Sequence, residues 1–126
     1  MRQVATQSMI IAGVLEAMLQ RRGRKTSNLF ERTSIKRPSW ARLCKGQSKF
    51  DVEQLYDVSD KFNIRLARVF MLAEKVKNKA IESGIEIIPP IPTTKGKLTK
   101  LEGVTVVDVA VLAFLASSVI EKIQQK

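Results

Sequence analysis

Gly23, Gly46, Asn63 and Gly84 sit where helices end, and they cut the first 84 positions into helix-length pieces. A helix that short is marginal in isolation, so a chain punctuated this way has to fold as several short helices around one shared core. From Ser8, the residues Ile11, Val14, Leu15, Met18 and Leu19 recur at spacings of three and four, which makes one apolar stripe. Arg21 and Arg22 then place cations at the negative end of that helix, just before Gly23. Thr26 or Ser27 can cap a second helix through Arg32, with Leu29 and Phe30 inward. A third is predicted from about Arg37 to Cys44, with Pro38 in its first turn, where a missing N–H costs little. Asp51 and Gln54 have capping-box spacing and open a fourth helix presenting Val52, Leu55, Val58 and Phe62, which Asn63 stops. A fifth begins near Leu66, carries Leu66, Val69, Phe70, Ala73 and Val76 inward, and runs to about Ser83.

The remainder reads differently. Residues 1–7 are expected to be a flexible N-terminal arm and 8–84 the helical domain. Pro89, Pro90 and Pro92 forbid a continuing helix, so 85–103 reads as a linker, with Ile85-Glu86-Ile87 at most a short strand. Residues 104–126 read as a last helix, opened by a Thr105–Asp108 variant of the capping box. The expected fold class is therefore all-α: five helices, a Pro-rich linker and a C-terminal apolar helix.

Charge gives this fold a direction. Residues 21–49 hold ten Lys or Arg and one acid, Glu31, a net of +9 in a chain of +10. Residues 50–60 hold four acids and no base. One side should attract a polyanion, for which a nucleic acid is the usual candidate. With 6% aromatic residues, a stacking platform for single strands is not expected. There is no histidine, one cysteine and no Gly-rich phosphate loop, so no metal set can be written and neither a cofactor nor an enzyme is expected. Cys44 alone makes no intramolecular disulfide, which fits a reducing cytoplasmic compartment, and the N-terminus lacks the marks of a signal peptide.

The register from Gly23 to Phe70 resembles the Cro and phage-repressor (XRE-type, lambda-repressor-like) helix-turn-helix family. The positions that carry the likeness are Gly23, Leu29 and Ile35; Trp40, Leu43 and Gly46; Val52, Leu55, Val58 and Phe62; and the ending Ile64-Arg-Leu-Ala-Arg-Val-Phe70, with no gap between them. The chain departs from the pattern at Phe30, where the family has a small residue, and at Ser34, Pro38 and Cys44. The resemblance implies a double-stranded DNA-binding regulator whose third helix enters the major groove. On that footing Lys36, Arg37, Ser39 and Arg42 face outward on helix three, and Arg37 and Arg42 are the candidates for reading guanine edges. Thr26 and Ser27 would meet phosphate at a helix start, and Lys45, Gln47, Ser48 and Lys49 would meet backbone after helix three.

The last helix has no polar face over Val109–Ala116, and something must cover it. Three burials compete: its own domain, a second subunit, or a membrane. The second is expected, through Val109, Leu112, Ala113, Phe114, Leu115, Ala116, Val119 and Ile120, which would make a homodimer suited to symmetric sites. A membrane partner is not expected, since Asp108 and Ser117-Ser118 interrupt the run. The overall expectation is a dimeric repressor of phage-regulator or antitoxin type, with a regulatory protein partner left open. The alternatives are an interaction module whose basic face is incidental, and a membrane-associated helix-turn-helix protein.

Overall fold

The computed structural model describes residues 2–91, 93–94, 97–98 and 103–124. In chain order the elements are β1 (Arg2–Thr6), α1 (Gln7–Arg21), α2 (Ser27–Arg32), α3 (Arg37–Cys44), α4 (Val52–Phe62), α5 (Leu66–Glu82), β2 (Ile85–Ile88), β3 (Thr93–Thr94), β4 (Lys97–Leu98), β5 (Val104–Val106) and α6 (Val109–Gln124). The five expected helices form, but the all-α class is wrong. β2, β1 and β5 make a three-stranded parallel sheet in that order, so the fold is mixed α/β with six helices. β3 and β4 pair as a small antiparallel hairpin.

The strand overturns the expected arm. β1 is the central strand: Val4 lies opposite Glu86 of β2 and Val106 of β5. Val4, Ala5 and Thr6 are buried in succession, as happens when both faces of a parallel strand are covered. Backbone bonds from Arg2 N to Gly103 O and from Val107 N to Val4 O, both 2.9 Å, tie the strand to the segment that was read as linker and helix. Thr6 then ends the strand and caps α1, its hydroxyl accepting from the Met9 N–H at 3.1 Å.

α1 is the hub. Ten of its fifteen residues are buried, because it packs against α3, α5 and α6 as well as following the sheet. Its Gly13 admits α6: a Cβ built there would lie 2.8 Å from Leu112 Cβ and 3.0 Å from Ala113 N. The last helix therefore buries much of its apolar surface in its own chain. Val109, Leu112, Ala113, Ala116, Val119 and Ile120 are all buried at spacings of one, three and four. Its cap is Asp108, whose Oδ1 accepts from Ala110 N–H at 2.9 Å, whereas Thr105 lies in β5.

The other helices keep their expected stops. Asp51 and Gln54 form the reciprocal capping box of α4, and Asn63 closes that helix in the left-handed region at φ 53°. Two inward assignments fail. Phe70 and Val52 are exposed; α5 buries Val69 and Val76 as expected, together with Leu72 and Ala80. Among the described residues no helix is long and apolar enough to cross a membrane.

Candidate nucleic-acid interface

α3 has eight residues and only two of them, Trp40 and Leu43, are buried. Trp40 meets Phe50 edge to face, with ring centroids 6.2 Å apart, so its ring is spent on packing rather than on a base. With that stripe turned inward, Pro38, Arg42 and Lys45, at i, i+4 and i+7, line up along the solvent side. Arg42 leans on Ser39, its Nη2 3.4 Å from the half-buried hydroxyl. Arg37 sits at the margin of this ridge, its guanidinium 5.1 Å from the centre of the Phe30 ring. Phe30, which departs from the resembled pattern, is half-buried, packed against the core with an arginine over its ring.

Lys36 is placed differently from its expected role. Its Nζ donates to the carbonyls of Phe30 at 3.1 Å and Thr33 at 3.2 Å, closing the C-terminal end of α2. The connection between α2 and α3 is held from three further sides. Thr33 Oγ1 donates to Leu29 O at 2.7 Å, and Ile35 N donates to Thr33 Oγ1 at 3.1 Å. Ser34 N donates to Asp57 Oδ2 at 2.6 Å, and this bond, more than the nearby Lys61 and Lys36, holds the Asp57 carboxyl below its ordinary value. Asp57 was not among the site residues expected from the sequence. Its signal was membership of the acid run that directly follows the basic segment.

Thr26 and Ser27 are half-buried at the start of α2, and Thr26 makes no capping bond through its side chain. Gln47 and Ser48 are half-buried after α3, with Gln47 N donating to Arg42 O at 2.9 Å, while Lys45 and Lys49 are exposed. All ten cations of residues 21–49 are exposed. Among the described residues their one ion pair is Arg21 with Glu121 at 3.8 Å. Arg22, Arg24 and Lys25, left out of the expected contacts, are exposed in the segment after α1. Their signal was the charge run itself.

Cys44 lies on the inner margin of α3. Burial, with the charges of Glu16 and Asp108 behind it, pushes its thiol up to about 11, so it is not a thiolate near neutrality. Burial, seconded by Asp108, also raises Glu16. Among the described residues no group of three His, Cys, Asp or Glu is placed to hold a metal ion.

No family model, no curated protein and no solved structure matches the chain.

Proposed function

We propose that the protein binds double-stranded DNA with sequence preference, as a transcriptional regulator, through the outer ridge of α3 and the basic segments on either side of it. The observation that carries this reading is the exposure of all ten cations of residues 21–49, with so few of them neutralised. Arg42 supports base reading, because it projects from the exposed side of a short helix. Arg37 does so from the margin, stacked on Phe30. Lys45, Lys49, Arg22, Arg24 and Lys25 supply phosphate contacts in this scheme, while Lys36 and Asp57 hold the connection between α2 and α3 in shape. No observation favours a membrane surface or an acidic protein in place of DNA.

Fluorescence anisotropy of labelled duplexes over a salt series tests the reading. With roughly five phosphates neutralised per subunit, log K falls against log salt with a slope of about −4. Arg42→Ala relaxes preference at one base pair, worth about 1–3 kcal/mol, whereas Lys49→Ala weakens all sequences alike and flattens the slope. A flat salt response, or no duplex binding at low salt, refutes it.

A further inference from the structure

We infer that Phe30 is the positioning residue for base reading: its ring holds the Arg37 guanidinium in place, so that Arg37 meets a guanine edge already oriented. The inference rests on the DNA-binding reading above and adds to it the residue that sets the preference at one base pair.

Phe30 touches the start of α3 twice. Its carbonyl accepts from the Nζ of Lys36, the residue that leads into the helix, at 3.1 Å. Its ring lies under the guanidinium of Arg37, the first residue of the helix, with 5.1 Å to the ring centre. The ring does not follow the arginine, because Phe30 is half-buried and packed against the core. Attraction between the ring face and the cation therefore fixes the arginine to the protein and not the reverse. An unsupported arginine loses its side-chain freedom at the moment of binding. One that already lies on a fixed ring has lost part of it beforehand.

The geometry also selects what Arg37 reads. A ring occupies one face of a guanidinium and none of its N–H groups. Among the described residues Arg37 has no ion pair, so its donors remain free for a ligand. A phosphate offers acceptors on several sides and gains little from a donor held at one angle. A guanine edge presents O6 and N7 in one plane and is bound by two N–H groups at once, so it gains most. Arg42 differs, since its one side-chain contact is the 3.4 Å approach to Ser39 Oγ, and no ring lies beneath it among the described residues.

A duplex selected by the parent chain from a random pool, and the same duplex changed one base pair at a time, are titrated with the full chain by fluorescence anisotropy. Phe30→Leu keeps an apolar side chain and the carbonyl that Lys36 uses, and removes the ring. It lowers the preference about two- to fivefold at the base pair that Arg37→Ala also relaxes, the range of an exposed cation–π contact. The other positions and the salt slope stay as in the parent. Phe30→Tyr retains the preference, and Phe30→Leu combined with Arg37→Ala does no more than Arg37→Ala alone. Thermal melts check that each variant is folded, and Phe30→Met takes the place of a leucine variant that is not. NMR of the free parent chain needs neither DNA nor a variant: the Arg37 side-chain protons lie upfield of their ordinary positions under the ring current. The absence of that shift overturns the inference. So does an equal loss at every base pair, which would make Phe30 a support of α2 alone. Additive losses in the double variant, a Phe30→Leu preference as sharp as the parent's, or a Phe30→Tyr chain that behaves like Phe30→Leu overturn it as well. Each of these leaves DNA binding standing, whereas a parent chain that selects no duplex overturns the DNA reading itself and the inference with it.

Discussion

Gly13→Ala separates two forces of opposite sign, and the fold says which prevails. Replacing glycine by alanine inside a helix stabilises it by about 1 kcal/mol when nothing else changes. Here the new methyl would stand 2.8 Å from Leu112 Cβ, 3.0 Å from Leu112 C and 3.0 Å from Ala113 N. Carbon atoms in good contact lie about 3.5–4.0 Å apart, so α6 has to retreat by most of an ångström. Two of the three opposing atoms are backbone, and no rotamer change relieves them. A retreat also loosens the packing of Leu112, Ala116, Val119 and Ile120, all nearly free of solvent. Overpacking of this kind costs about 1–3 kcal/mol, which outweighs the propensity gain and leaves a net loss of up to about 2 kcal/mol. Urea titration followed by circular dichroism measures it: the midpoint falls while the slope is unchanged. Gly13→Leu loses several times more. A Gly13→Ala protein that is more stable than the parent would refute the reasoning, because it would mean that α6 does not rest on Gly13.

The turn and the thiol each give a binding or reactivity outcome and a pH outcome. Asp57→Ala removes a negative charge next to the basic surface, so charge alone predicts tighter DNA binding; losing the 2.6 Å bond to Ser34 N should instead weaken binding and make it less selective, as anisotropy would show. Because the folded carboxyl is held below its ordinary value of 3.8, its contribution to stability is present above that pH and lost as pH falls through the lower folded value, an acid component that Asp57→Ala should lack in pH-dependent melts. Cys44, with its thiol pushed up to about 11, should react slowly with iodoacetamide at pH 8 and quickly once urea unfolds the chain; equal rates would contradict its placement. Since the folded state holds that proton more tightly than the ordinary 9.0, stability should decline as pH rises above 9.0.

The helices were legible because each carries its own signals: the Asp51–Gln54 box, Asn63 in the left-handed region and the glycine stops act within one turn. The sheet was not. β1 has five residues with no clean alternation, and its partners lie about 80 and 100 positions away. Nothing local distinguishes such a strand from a loose end. The burial of α6 was illegible for another reason. A helix without a polar face shows that it must be covered, but not by what. The missing clue was Gly13, a glycine inside a strongly apolar helix, which marks a close approach by another segment. Within the candidate site, the outward side chains of α3 followed from its two buried positions. The engagement of Lys36 and Asp57 did not, because both depend on how α2 ends and where α4 crosses.

The sheet that sequence reading missed bears on the proposed DNA-facing helix. Eight residues do not hold a helix in water, so the position of α3 is imposed from outside. Its far end is fixed by the start of α1: Gly46 packs against Met9 and Thr6, and Phe50 N donates to Ser8 Oγ at 3.0 Å. Gly46 O also accepts from Ile91 N at 2.7 Å, just beyond β2. Thr6 is at once the last residue of the central strand, the cap of α1 and the neighbour of Gly46. The sheet therefore reaches the end of α3 from two strands, through Thr6 at the end of β1 and through Ile91 just beyond β2. Loosening β1, by removing either β2 or β5 from its sides, would free the start of α1 and with it the end of α3. A five-helix domain cut out at residue 8 would keep every proposed DNA contact and lose the framework that aims them.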